Sequence, residues 1–320
     1  MADEQARAVV ELAGGVGGAK LAHGLQAHLG RRLTVVVNTG DDTERHGLLV
    51  CPDHDTVMYT LAGLANREQG WGLDGETFAA AEMLERYGEE TWFRLGDRDL
   101  ATHVRRTRRL RDGARLTDVS LELWKALGVA ATILPMTDAP VRTEVRTEAG
   151  WLEFQDYFVR RHQEPEVLEV RFRGIDAASA TPEVLAAIGQ ADAIVVAPSN
   201  PIVSIGPILA VPGVRGALDA ARQRGVRVIA VSPIVGGRAL RGPADRMLRS
   251  LGHESSALGV ARLYVGIIDV IAIDVQDADL AGEIRDLAIE PLVTDTVMVD
   301  DDARKRLAGR ILDGDAVAAA

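Results

Sequence analysis

The stretch RAVVELAGGVGGAKLAHGLQAHLGRRLTVVV, residues 7–37, decides the fold. Arg7 to Ala13 is apolar enough for a buried strand, and Gly14-Gly15-Val16-Gly17-Gly18 follows it at once. Ala19 to Leu29 carries apolar residues at helical spacing, and Leu33 to Val37 is a second apolar strand. A strand, a glycine turn, a helix and a second strand open a doubly wound sheet, in which the loops after strand C-termini carry the chemistry.

Further along, Thr56 to Ala65, Glu76 to Tyr87 and Leu116 to Leu127 read as helices. Val141 to Thr147 and Trp151 to Val159 alternate polar and apolar residues around Ala149-Gly150, the pattern of an antiparallel hairpin, and Leu168 to Phe172 adds a third strand. Thr181-Pro182 starts a helix, with Thr as N-cap and Pro at the first helical position. Ala193 to Ala197, Val226 to Val231 and Val270 to Ile273 are continuous apolar strands of the parallel-sheet kind. The expected fold is α/β: a doubly wound, mostly parallel Rossmann-like sheet with an inserted antiparallel hairpin region. Residues 1–135 and 190–320 form the core and residues 136–189 the β-rich insert. The tail from Asp313 to Ala320 is expected to fray.

Composition narrows the class. The 320 residues are 47% hydrophobic with a net charge of −11, which disfavours a general nucleic-acid surface. The single cysteine, Cys51, excludes an internal disulfide and a cysteine-cluster metal site. The apolar stretch from Val265 to Val275 is broken by Asp269 and Asp274, so no membrane span is expected. The acidic start, Met1-Ala2-Asp3-Glu4, predicts no signal peptide, and the expected location is cytoplasmic.

Four clusters carry the chemistry. Gly14 to Gly18 suits a phosphate cradle, since glycines let backbone amides approach an anion at a helix N-terminus. Lys20 stands where a dinucleotide fingerprint would place its third glycine, and Gly-Lys-Ser/Thr is absent, so neither common fingerprint is met. Lys20 is a candidate charge partner. Asp41 and Asp42 follow the second strand, and Asp53 and Asp55 follow in Cys51-Pro52-Asp53-His54-Asp55-Thr56. Carboxylates converging on a phosphate suit Mg²⁺, and one could accept a proton from an attacking hydroxyl. Asp55 could equally cap the helix that follows. The residues leave the ligands open among the four; Asp42 and Asp55 are carried forward as the metal-binding and catalytic pair. In Trp92 to His103, Arg94 and Arg98 are anion-binding candidates. His103 taken alone reads as structural, and Arg105, Arg106, Arg108, Arg109 and Arg111 read as a solvated face paired with acids. Last, Asn200, Ser204 and Gly206 lie on a proline-stiffened turn suited to reading a base or ribose, and Ser232 to Gly237 repeats the design.

Leu12 to Lys20, Asn38 to Asp42, Cys51 to Thr60, Leu95 to His103, Ala197 to Pro207 and Ser232 to Gly236 together resemble the 2-phospho-L-lactate transferase family (CofD, called FbiA in actinobacteria), in order from about residue 8 to about residue 265. The resemblance implies an enzyme of coenzyme F-420 biosynthesis. It would move a phospho-lactyl or phospho-enolpyruvyl group from a guanosine diphosphate ester to the terminal ribityl hydroxyl of 7,8-didemethyl-8-hydroxy-5-deazariboflavin (Fo), releasing GMP. It further implies Mg²⁺, a homodimer, Asp55 and Arg94 at the Fo side, and Gly14 to Gly18 with Asn200 to Gly206 at the guanosine diphosphate side. His54 departs from the leucine expected between the two aspartates, and matters if its ring obstructs the ribityl chain. The alternative is the related gluconeogenesis-factor branch, regulators that bind nucleotide sugars. A nicotinamide oxidoreductase is disfavoured by the missing third glycine.

Overall fold

Seven parallel strands form the central sheet of the computed structural model, which describes residues 7–317. They are β1 (Val9–Ala13), β2 (Leu33–Val37), β3 (Thr132–Pro135), β4 (Ala193–Val196), β5 (Arg227–Val231), β6 (Val270–Asp274) and β7 (Glu290–Thr294). Their spatial order is β7-β6-β5-β4-β1-β2-β3, the doubly wound arrangement that the opening motif predicts. The direction of winding reverses between β1 and β4, which pair with Val9 opposite Ala193 and Leu12 opposite Val196. Helices pack on both faces, and all five β1 positions are buried.

Two apolar layers flank the sheet. Val10, Leu12, Val36, Ile194 and Val196 pack on Val184, Ile188, Val214 and Leu218 from the helices of the C-terminal half. On the other face Val9, Ala13, Val35 and Val195 pack on Leu21 and Leu25 of helix α1 (Gly15–Leu29) and on Leu307 and Ile311 of the Asp301–Val317 helix. That last helix continues through Val317, into the segment expected to fray; residues 318–320 and the acidic start at Met1 to Glu4 lie outside the described residues.

Element boundaries depart from the sequence reading at informative places. Helix α1 begins at Gly15 rather than Ala19, so the glycine run is the first helical turn itself. Within the run Gly14 to Gly18, Gly15 alone, with φ of +61°, has a left-handed backbone. Gly17 answers a different need: a Cβ there would lie 2.2 Å from the Pro198 carbonyl oxygen. Helix α2 spans Pro52–Leu61, starting four residues before the expected Thr56 because Pro52 occupies a first-turn position where its missing N–H costs nothing. Thr181 caps the Pro182–Gln190 helix as expected, accepting the Val184 N–H at 3.2 Å.

Arg142–Thr147 pairs antiparallel with Gly150–Glu153 and with Glu169–Arg173, as the hairpin pattern predicts. The second arm is shorter than expected: Asp156–Arg160 forms a π-helical turn. A second π-turn, Pro201–Ile205, packs against the insert through Val203, which shares a small apolar cluster with Val145, Phe154 and Tyr157.

Glu11 is a local conflict within this layering. It lies mid-strand between Val35 and Val195, is fully buried, and neither carboxylate oxygen has a hydrogen-bond partner. Burial raises its ionisation well above the usual glutamate range. The unfolded chain releases this proton above about pH 4.3 while the folded chain retains it, so stability is lost as pH rises. Glu11→Met, of similar shape and without polar atoms, is expected to stabilise the fold by roughly 1–3 kcal/mol at pH 7. In denaturant titrations the gain should shrink towards pH 4; a loss of stability at pH 7 would show that the carboxylate is partnered.

Candidate active site

The loops after β1, β2, β4 and β5 enclose a cavity of about 600 Å³ at the C-terminal edge of the sheet. Its floor is the winding reversal between β1 and β4. There Gly14 N–H donates to Ser199 Oγ at 3.2 Å, and the Ser199 hydroxyl donates back to Gly14 O at 2.7 Å. The first-turn amides of α1 have no intrahelical acceptor, and Gly15, Val16 and Gly17 line the cavity. Lys20, one turn along α1, lines it too and donates to Met298 O at 3.1 Å.

Asp53 stands against this helix end. Its Oδ2 accepts Asn38 Nδ2–H at 2.9 Å, and its carboxylate also accepts the Gly15 amide. Asp41, on the loop after β2, lines the same cavity, and its Oδ1 is buried without a hydrogen-bond partner. Burial raises Asp53 to about 6, against the pull of Asn38 and Gly15. Burial, and then the Asp53 charge, raise Asp41 well above the carboxylate range. Among the described residues, no basic side chain pairs with either. Two desolvated carboxylates without a counter-charge form a site suited to a cation.

Asp55 is in the opposite electrostatic state. It sits in the first turn of α2, inside the helix rather than ahead of it. Burial would raise its carboxyl, but the Arg106 guanidinium grips both oxygens and holds it well below the carboxylate range. Arg106 is 1% exposed and reaches in from α3 (Asp99–Arg111). That helix is set by Glu76, whose carboxylate accepts the amides of Arg98 and Asp99 at 3.0 and 2.9 Å. From the same face of α3, His103 lies 3.7 Å from Asp55 Oδ2 and 3.3 Å from Asp99 Oδ2. Tyr59 OH lies 2.6 Å from Asp99 Oδ1.

The arginine run thus divides. Arg105 and Arg109 pair with Glu122 on the surface, as a solvated face should, whereas Arg106 is the buried partner of Asp55. His103, also 1% exposed, borders the cavity from the same helix.

The other predicted residues fall as follows. Arg94 is exposed at the cavity, with its guanidinium 4.1 Å from the Phe78 ring centroid. Gly14, Gly15, Gly17, Asn200 and Ser204 line the cavity, but the Asn200 Oδ1 is occupied in accepting the Ile202 and Val203 amides. Gly18 and Gly206 are packing positions outside the lining, where a Cβ would meet Ala13 at 2.8 Å and Pro201 O at 3.2 Å, respectively. Asp42 is also outside the lining. Its Oδ2 accepts the Cys51 thiol at 3.1 Å, and burial raises it to about 7. Asp42 therefore faces Cys51, and Asp55 faces Arg106. Asp41 and Asp53 come together without a basic partner, while Asp55 offers an oxygen within 4.8 Å of ligand atoms of Asp99 and His103. The His54 ring is outside the lining, held between Asp55 and Ser120, so it does not obstruct the cavity. Phe93, from the Trp92–His103 cluster, lines the cavity; sequence reasoning missed Arg241 and the aromatic lining residues Phe154 and Phe158, which stack at 5.5 Å between centroids.

A crevice at the point where a doubly wound parallel sheet reverses its winding is where nucleotide-handling α/β enzymes hold their ligands. Comparison with known proteins carries the assignment further. The family described as 2-phospho-L-lactate transferase CofD matches residues 9–313. A phosphoenolpyruvate transferase of Streptomyces griseus is 45% identical over 312 residues, 95% of this chain and 97% of that one. A 2-phospho-L-lactate transferase of Methanosarcina mazei is 40% identical over 301 residues, 94% of this chain and 98% of that one. A crystal structure of a UPF0052-family protein from Bacillus halodurans shares the fold, with a TM-score of 0.61 at 16% identity, covering 96% of this chain and 98% of that one. The chain belongs to the 2-phospho-L-lactate transferase family and is an enzyme of that phospho-lactyl or phosphoenolpyruvyl transferase class. No single helix among the described residues is long and apolar enough to cross a membrane.

Proposed function

We propose that this enzyme moves the phospho-lactyl or phospho-enolpyruvyl group of a guanosine diphosphate ester to the terminal ribityl hydroxyl of Fo. GMP leaves, and the product is coenzyme F-420-0 or its dehydro form. The observation that carries the reading is the single cavity that joins an anion-binding helix N-terminus, an unpaired acid pair and an arginine-flanked aromatic wall. The first-turn amides of α1 and Lys20 hold the diphosphate. Phe93, Phe154 and Phe158 offer flat apolar surface to the deazaflavin ring, with Arg94 beside it.

Transfer between two oxygens at phosphorus depends mostly on positioning and charge stabilisation. Arg106 keeps Asp55 ionised, so its carboxylate is free to accept a hydrogen bond from the attacking hydroxyl. Its carboxylate has lone pairs beyond those Arg106 uses, and one accepts the ribityl O–H and aims the oxygen at phosphorus; as the new P–O bond forms and the bond to the GMP phosphate breaks, the hydroxyl proton passes by way of this hydrogen bond to water. The site fits Mg²⁺ through Asp41 and Asp53, because both are oxygen donors and Asp41 Oδ1 lacks a partner. Bound there, Mg²⁺ would offset the charge that builds on the phosphate oxygens. The enzyme acts in the cytoplasm as a homodimer.

Arg94→Ala is expected to raise the KM for Fo about tenfold, with kcat within a few-fold and melting unchanged, since the side chain is exposed. Unchanged kinetics would remove Arg94 from the site. The whole reading is tested by incubating the protein with Fo, Mg²⁺ and each guanosine diphosphate ester and weighing the product. A mass equal to F-420-0 or its dehydro form is expected, with GMP. No product from either ester, together with calorimetric binding of a uridine diphosphate sugar, would favour the regulatory branch.

A further inference from the structure

The Asn66–Gly72 turn lies directly over the first turn of α1. Asn66 Oδ1 accepts the amides of Glu68 and Gln69 at 3.1 and 3.0 Å, and the Asn66 amide donates to Gly72 O at 3.0 Å. The Gly70 amide closes the turn on Asn66 O at 2.9 Å, and Trp71 follows it. A Cβ on Gly70 would lie 2.5 Å from Arg241 Nη1 and 3.1 Å from Val16 Cγ1, so the turn, the Arg241 guanidinium and α1 meet at one point. Arg241 ties them: its Nη1 donates to Gln69 O at 2.7 Å and its Nη2 to Glu68 O at 3.2 Å.

Arg241 also belongs to a cationic group. Burial depresses the Lys20 ammonium, and the positive charges of Arg304 and Arg241 depress it further. Lys20 and Arg241 both line the cavity at the α1 N-terminus. Two cations held together at a positive helix end call for an anion. The arginine fork carries five donors, so the two engaged by loop carbonyls leave others for a phosphate oxygen. The surrounding rim is unusual for a free surface. Trp71, Leu240 and Val299, from three separate segments, are 50–75% exposed yet border the cavity. Trp71 also borders an adjoining pocket of about 200 Å³ with Leu73 and Phe78, which gives the indole room to move.

We propose that Arg241 is a further anion-binding residue for the donor, and that it couples occupancy of the α1 N-terminus to the Asn66–Gly72 turn, so that a nucleoside diphosphate draws Trp71 over the cavity mouth. The proposal rests on the assignment of the diphosphate to this end of the cavity.

The test titrates GDP into the wild type, Trp71→Phe, Arg241→Gln and Arg241→Lys, reading affinity by calorimetry and tryptophan emission by fluorescence. The wild type is expected to bind GDP with an emission change that Trp71→Phe lacks. Arg241→Gln weakens binding at least tenfold and shows no emission change at saturation. Arg241→Lys, which keeps the charge but not the fork, guards against a folding failure of the Gln variant. It recovers part of the affinity and none of the emission change. Binding by Arg241→Gln or Arg241→Lys with the full emission change at saturation overturns the coupling, and wild-type affinity in Arg241→Gln overturns the anion role, while the diphosphate assignment stands. A wild type that does not bind GDP overturns both.

Discussion

Asp53→Asn is expected to lower turnover by roughly 10²–10³-fold, about 2.7–4 kcal/mol of transition-state stabilisation. The substitution keeps the side-chain shape and removes one of the two carboxylates of the Asp41–Asp53 pair. It also abolishes the charge beside the α1 N-terminus. Asp53 ionises near 6 in the fold, against about 3.9 in an unfolded chain, so stability falls as pH rises through that window. The Asn variant escapes that loss, and its melting temperature at pH 7 should be no lower than the wild type's. Steady-state kinetics across a Mg²⁺ series should show a raised metal requirement. A variant with wild-type turnover would remove Asp53 from the site, and a variant that loses activity only by unfolding would make it structural.

The second large effect concerns stability. Arg106→Leu strands the buried Asp55 carboxylate, and breaking a buried pair from one side costs about 3–5 kcal/mol. Because Asp55 ionises below its unfolded value, the pair stabilises the fold above about pH 4 and the contribution fades as pH falls. Urea unfolding at pH 7 should therefore show a large loss in Arg106→Leu that narrows in acid. Pairing it with Asp55→Leu should return part of the loss, since no charge is then left unpaired. A loss below about 1 kcal/mol in the single variant would mean that Asp55 is solvated or otherwise paired.

These two residues show where a sequence speaks and where it is silent. The parallel strands were legible because their apolar runs are continuous, as strands covered on both faces must be. The glycine turn after Ala13 and the capping at Thr181 were legible because the chemistry is local. Asp99, His103 and Arg106 are spaced i, i+4 and i+7 and so share one helical face, a signal present in the sequence but hidden by the surrounding arginines, which share the charge and not the burial. Which aspartates stay unpaired was not legible. That depends on Arg106 reaching Asp55 across 51 residues and on the Cys51 thiol turning to Asp42, both tertiary events. The same holds for Arg241, whose loop carbonyl partners lie 172 and 173 residues away. Glu11 violates the strand's apolar pattern and was absorbed into the strand anyway, because its neighbours supply enough burial to hold a neutral carboxyl.

A crystal structure of the enzyme with GDP and Fo bound together tests the central claim most directly. The diphosphate should rest on the amides of Val16 and Gly17 beside Lys20, and the terminal ribityl hydroxyl should lie within hydrogen-bond distance of Asp55 and face the β-phosphorus. A diphosphate bound away from the α1 N-terminus, or an Fo whose ribityl chain points away from Asp55, would contradict it.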